Sequence, residues 1–169
     1  LIYVGLTALC GLAYWYAGMS AFDAVCHSFA TLATGGFSTH DASIAWFNSP
    51  QIELIAVVFM FLAGASFSLH FLAWRSHTLA AYWGDPEFRA YALILISLTA
   101  AGTATLLVSQ HYATVGESAR HSLFHFVSFM TSTGFVATGF DQWPGALPLS
   151  LILVSFIGGC AGSTGGGMK

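Results

Sequence analysis

Charged residues along this chain fall in clusters and leave four blocks of 21 residues or more without a single Asp, Glu, Lys or Arg: residues 1–22, 54–74, 90–116 and 142–168. A helix needs about 20 mostly apolar residues to cross the hydrocarbon core of a bilayer. The first three blocks therefore predict membrane-crossing helices. The fourth begins in the same way, with "LPLSLILVSFIGG", and then dissolves into "GGCAGSTGGGMK". Each Gly costs a helix about 1 kcal/mol relative to Ala, so a break is expected there.

Two shorter segments lie between the blocks, "SAFDAVCHSFATLA" at 20–33 and "SARHSLFHFVSFMTS" at 118–132. Ser20 with Asp23 forms a capping box at the head of the first, and Ser118 opens the second. A helix of this length reaches about 21 Å, short of a core about 30 Å thick. Each predicts a helix that enters the membrane, stops partway and turns back. A glycine-broken polar phrase follows each one, "LATGGFSTHD" at 32–41 and "MTSTGFVATGFD" at 130–141.

The pattern occurs twice. His27 and His125, Gly36 and Gly134, and Phe37 and Phe135 all stand 98 residues apart, and "FLAG" at 61–64 and "FIGG" at 156–159 stand 95 apart. The order is span, half-length helix, glycine loop, span, in two copies running in the same direction. This divides the chain into a first unit at 1–74, a connecting loop at 75–89 and a second unit at 90–169 that ends in a broken helix. Internal duplication is common in transport proteins.

Irregular backbone at membrane depth is tolerated where it is buried in protein or lines a wet cavity. An ion filter needs successive carbonyls that face one axis and replace the ion's hydration shell, and glycine adopts the required backbone angles cheaply. Residues 34–38, Thr-Gly-Gly-Phe-Ser, and 132–136, Ser-Thr-Gly-Phe-Val, fit that description. The negative C-terminal ends of the preceding helices favour a cation. Phe37 and Phe135 are expected to pack outward as a stiff cuff. Asp41 and Asp141, just beyond the loops, are placed to enrich cations at an outer mouth.

Composition agrees with a lipid environment. Hydrophobic residues make up 56% and charged residues 7%, against roughly a quarter charged in a soluble domain. Arg75, Arg89 and Lys169 fall on one side of the predicted spans and Arg120 on the other, which makes the first side cytoplasmic by the positive-inside rule. Without a basic tract there is no case for nucleic acid. Cys10, Cys26 and Cys160 sit in apolar or small-residue surroundings and read as buried small residues. The first block lacks a basic n-region and a small-residue cleavage site, so it is not read as a signal peptide. With no initial Met and a terminus just after a glycine cluster, the chain reads as a piece of a longer protein.

The phrases "AFDAVCHSFATLATGGFSTHDASIAWF", "DPEFR" and "FIGGCAGSTGGGMK" give the whole chain a specific resemblance to the Trk/Ktr/HKT superfamily of potassium transporters. The resemblance implies an all-α membrane protein with two parallel M1–pore-helix–M2 repeats and re-entrant filter loops, half of a four-repeat pseudo-tetrameric channel. This chain would hold the second and third repeats. The carbonyls of Thr34, Gly35, Gly36, Ser132, Thr133 and Gly134 would line the potassium path. The glycine-rich break, with Gly158, Gly159, Gly162, Ser163, Thr164, Gly165, Gly166 and Gly167, corresponds to an intramembrane gate below the filter. Lys169 either presents charge to an approaching cation or is a plain cytoplasmic flank. The resemblance further implies a homodimer in the bacterial inner membrane and a cytoplasmic, nucleotide-binding, TrkA-like regulatory partner that docks beneath the gate. Potassium is the transported ion, and any nucleotide would bind the partner, so no organic cofactor is expected here. Transport breaks no covalent bond, and no catalytic residue is expected.

Seven histidines raise an alternative of another class, a membrane redox subunit that ligates haem. His121 and His125 have helical ligand spacing, but no acidic or cysteine partner joins them. "GSTGGGMK" ends Gly-Met-Lys where a phosphate loop requires Gly-Lys-Ser/Thr, and "GASFS" completes no nucleophile elbow. Small residues in "FLAGAS" and "GGCAG" also suit close helix packing. Trp15, Trp46, Trp74, Trp83 and Trp143 lie near the ends of the spans as interface anchors.

Overall fold

The structure, a computed structural model, describes residues 1–168. Every regular element among them is helical. The first unit contains α1 (Ile2–Tyr16), α2 (Ala21–Leu32), a 3₁₀ turn at Ser43–Phe47, α3 (Pro50–Ala63) and α4 (Phe67–Ser76). A short α5 (Ala80–Gly84) connects the units. The second contains α6 (Pro86–Val108), α7 (Val115–Met130), a 3₁₀ turn at Phe140–Gln142 and α8 (Leu147–Ile157).

Local chemistry sets the boundaries. Ser20 caps α2 by accepting the Asp23 N–H, as the capping reading expects. In the second unit the cap is Thr114, which accepts the Glu117 N–H, so α7 starts at Val115 rather than at Ser118. Ser118 instead lies inside the helix and donates back to the Thr114 carbonyl. Asp85 accepts from Phe88 N–H and Pro86 follows at the first helical position. That pair starts α6 inside "DPEFR", four residues earlier than the charge-free block, and makes it the one unbroken helix of spanning length among the described residues.

The span expected at 54–74 is corrected. It starts at Pro50 and breaks after Ala63, and α4 leaves at 93° to α3. Gly64, Ala65 and Ser66 form the elbow. The first block is likewise shorter than expected, because α1 ends at Tyr16 and the chain turns at 17–20 into α2. The fourth block behaves as expected, with α8 ending at Ile157 and irregular backbone from Gly158.

α7 lies in the interior, and α2 buries one face while Phe22, Val25 and Phe29 on the other stay exposed. α2 packs on α1 and α3, and α7 packs on α6, α8 and α3. α3 therefore touches both half-length helices and joins the units. Tyr14, Leu32, Ile44, Met60, Leu106, Phe124, Phe126, Phe135 and Leu151 are fully buried around them. The outward faces of α1, α6 and α8 remain apolar, with Leu9, Leu12, Leu93, Ile96, Leu149 and Leu153 exposed. Water would not tolerate so continuous an apolar surface, whereas lipid or further protein would cover it.

Candidate functional site

Both half-length helices end in the same motif. The Thr34 N–H bonds to the Thr31 carbonyl and the Gly35 N–H to the Ala30 carbonyl; 98 residues on, Ser132 bonds to Phe129 and Thr133 to Ser128. These are Schellman ends. Their left-handed residue is usually glycine, but here it is Thr34, at φ +50°, and Ser132, at φ +59°. A β-branched residue in this region is a genuine outlier, and such strain persists at sites where the surroundings over-determine it. Two residues later the backbone turns left-handed again, at Gly36 (φ +65°) and Gly134 (φ +83°). Left-handed residues thus recur at the same alternate positions in both loops.

The loops lie against each other. A Cβ at Gly36 would overlap the carbonyl oxygen of Thr133, so no other residue fits there. Beyond the glycines the contact continues, since the Val136 carbonyl accepts from Ala45 N–H at 3.1 Å and the Ser43 hydroxyl accepts from Val136 N–H at 3.2 Å. Gly35 and Gly134 stay exposed on the open side of the pair. Phe135 is fully buried, with its ring 6.0 Å from that of His27 in the other unit, whereas Phe37 is 81% exposed.

Each loop is held from behind by a different device. The His27 Nδ1 donates to the Asp23 carbonyl at 2.8 Å, which leaves Nε2 of the neutral ring to accept from the Ser38 hydroxyl at 2.9 Å. Ser38 in turn accepts from His40 N–H. In the second loop Ser128 donates to the Phe135 carbonyl at 2.8 Å, and the hydroxyls of Thr131 and Thr133 bond at 2.7 Å. Asp23 binds Thr39 at 2.6 Å and Ser20 at 2.7 Å, and His40 lies 3.4 Å away. The hydrogen bonds from Thr39 and Ser20 hold its carboxyl below the usual carboxylate range. Asp41 and Asp141 are exposed at the far ends of the loops.

The glycine-rich segment folds back beneath the loops. Cys160 N–H donates to the Gly64 carbonyl at 2.8 Å, Thr164 N–H to the Ala63 carbonyl at 3.2 Å, and Phe67 N–H to the Gly162 carbonyl at 3.1 Å. The elbow of the first unit is thus paired with the irregular backbone of the second, and each supplies the groups that the other's broken helix leaves without partners. A Cβ at Gly159 would come within 2.6 Å of the Gly64 carbonyl, so that approach requires glycine. Thr34 donates to the Thr164 carbonyl at 3.0 Å, which ties this segment to the first loop. Ser132, Gly134, Gly167 and Met168 share an open cleft of about 450 Å³. Lys169 lies outside the described residues.

Sequence reasoning did not single out one inter-unit contact. Glu53, at the head of α3 and 5% exposed, lies 3.3 Å from Arg120 and 3.9 Å from His121 on α7. The signal was present, because Arg120 is the one basic residue on the outer side and Glu53 is an acid at a span boundary. The elbow carbonyls of Ala63 and Gly64 were also missed, although the match of "FLAG" with "FIGG" places both breaks at corresponding positions.

His27 and His70 have both ring nitrogens engaged, and His125 Nδ1 donates to the His121 carbonyl. Among the described residues no group of three or more His, Cys, Asp or Glu is arranged to hold a metal ion.

Comparison with known proteins gives a consistent result. The family described as "TrkH: Cation transport protein" matches residues 1–169. The Trk system potassium uptake protein TrkH of Halomonas elongata is 51% identical over 168 residues, which cover 99% of this chain and 35% of that protein. TrkH of Escherichia coli K12 is 47% identical over 169 residues, covering all of this chain and 35% of the relative. The crystal structure of the potassium transporter TrkH from Vibrio parahaemolyticus superposes with a TM-score of 0.95 at 49% identity, over 99% of this chain and 36% of that one. The chain spans about a third of the length of the curated relatives that it matches.

Proposed function

The chain belongs to the TrkH family of cation transport proteins, and on that premise we propose that it forms two of the four repeats around a potassium pathway in a bacterial inner membrane. Thr34, Gly35 and Gly36 from one loop and Ser132, Thr133 and Gly134 from the other present carbonyls to the ion in place of its water. The observation that carries this reading is the pairing of the loops. Both leave a half-length helix through the same Schellman end, repeat the same left-handed positions and meet at Gly36 and Thr133. Alternating the hand of the backbone turns successive carbonyls toward one side, as a cation filter needs. The names of the relatives supply the ion, potassium.

The segment 158–167 serves as the gate below the filter. Its backbone bonds to the elbow and the Thr34–Thr164 bond support that role. Asp41 and Asp141 act at the outer mouth, where Asp23 adds a further charge. The working assembly is a homodimer with a cytoplasmic, TrkA-like nucleotide-binding subunit beneath the gate.

The test is potassium uptake by a deficient host that expresses the full-length parent protein. Gly36→Ser and Gly134→Ser are expected to abolish uptake or to collapse potassium over sodium selectivity. Normal uptake and selectivity in both variants, at normal expression, would overturn the filter assignment.

A further inference from the structure

The bonds between the gate segment and the elbow come from backbone groups and from the Thr164 hydroxyl, which donates to the Ala63 carbonyl at 3.1 Å, and none of these groups carries a charge through which the cytoplasm could act on them. One further bond is different. The carboxylate of Glu87, in the first turn of α6, accepts from the N–H of Ala161 at 2.5 Å. Ala161 lies between Cys160, bonded to Gly64, and Gly162, bonded to Phe67. Glu87 therefore grips the segment between two of its points of attachment to the first unit. A charged acceptor on a backbone N–H makes a stronger bond than a neutral one.

Glu87 also stands where the connecting loop enters the membrane-crossing helix. Asp85 and Pro86 fix its backbone as the start of α6. The ring of Phe88, next in sequence, lies 5.0 Å from that of Tyr82 on α5. The Tyr82 hydroxyl donates to His70 Nδ1 at 2.6 Å, and His70 Nε2 donates to the Leu62 carbonyl at the end of α3 at 2.9 Å. The connecting loop thus reaches the gate segment through Glu87 and, through Tyr82 and His70, the last turn of α3 just before the elbow.

We propose that Glu87 is the positioning residue by which the 75–89 loop holds the gate segment in its seat, and that displacing this loop from the cytoplasmic side frees the segment. The proposal rests on reading 158–167 as the gate. It assigns the connecting loop a task beyond linking two repeats.

The experiment uses the full-length parent protein in liposomes, without its regulatory partner, and reads rubidium influx. E87A removes the acceptor and is expected to raise basal influx about five- to tenfold, with potassium over sodium selectivity unchanged. E87Q keeps an acceptor oxygen and is expected to restore most of the closed behaviour, a rescue that a merely structural role for the carboxylate would not give. Glu87 is exposed, so insertion and thermal midpoint are expected to match the parent. Influx in E87A equal to that of the parent, or equal leaks in E87A and E87Q, would overturn the proposal. Deletion of residues 162–165 separates the two levels. If the deletion leaks and E87A does not, the gate reading stands and the tether falls. If the deletion leaves influx unchanged, the gate reading falls and takes the tether with it.

Discussion

The two units share a plan and differ in how they secure it. In the first, position 38 is Ser, bonded to His27, and position 30 is Ala; in the second, the corresponding residues are Val136 and Ser128, and Ser128 bonds directly to the Phe135 carbonyl. The support for one loop comes from its own hydroxyl and for the other from a hydroxyl on the helix behind it. The fate of the second span differs more. At 64–66 the first unit turns sharply and resumes a helix, whereas from 158 the second unit stays irregular. The two copies share the turn that ends the half-length helix and differ in the scaffold around it, so that one copy offers a seat and the other occupies it.

The ion pair between the units breaks this symmetry most and carries the largest expected effect. Arg120 corresponds to Phe22, which is exposed, so the first unit has no equivalent of the contact with Glu53. Arg120→Ala leaves a buried carboxylate without its partner. We expect a loss of about 3 kcal/mol, the lower end for such a disruption because the Arg120 side chain is a third exposed. A fall in the thermal midpoint of the full-length protein in detergent would report it, and the combined change Glu53→Leu with Arg120→Met should recover most of that fall. A tolerated single Arg120→Ala would show that the units do not depend on this contact.

The loop supports come next. Ser128→Ala strands the buried Phe135 carbonyl, at about 1–3 kcal/mol. Ser38→Ala, in a more open setting, should cost about 1 kcal/mol by the same reasoning. Potassium over sodium selectivity in the full-length protein is expected to drop further for Ser128→Ala, and the reverse order would mean that the His27–Ser38 bond is the stricter support. The smallest expected effect is at the helix starts, where Ser20→Ala and Thr114→Ala each remove one cap and should each cost about 1 kcal/mol. Equal shifts in the thermal midpoint would show that the two half-length helices are matched in this respect, and unequal shifts would extend the divergence to their outer ends.

The sequence revealed most where one residue type answers one physical demand. The half-length helices, the glycine loops and the break at 158 follow from length and glycine content alone. Ser20 was legible as a cap because a hydroxyl before an acidic first turn has few other uses, while Thr114 was hidden by Ser118, a second hydroxyl one turn later. The elbow at 64–66 was not legible from hydropathy, because Gly64, Ala65 and Ser66 barely interrupt an apolar run and the seated segment that stabilises the bend lies about a hundred residues away. The pairing of Glu53 with Arg120 also depends on chain crossing that no local pattern encodes.

The seating of the glycine segment has a consequence for solvent. Wherever that segment moves, the carbonyls of Ala63 and Gly64 lose the N–H donors of Thr164 and Cys160. In so apolar a setting the available replacement is a water molecule. If 158–167 is the gate, as proposed, opening begins with the wetting of an elbow rather than the swing of a rigid door, and osmotic stress, by withdrawing that water, should favour the shut arrangement.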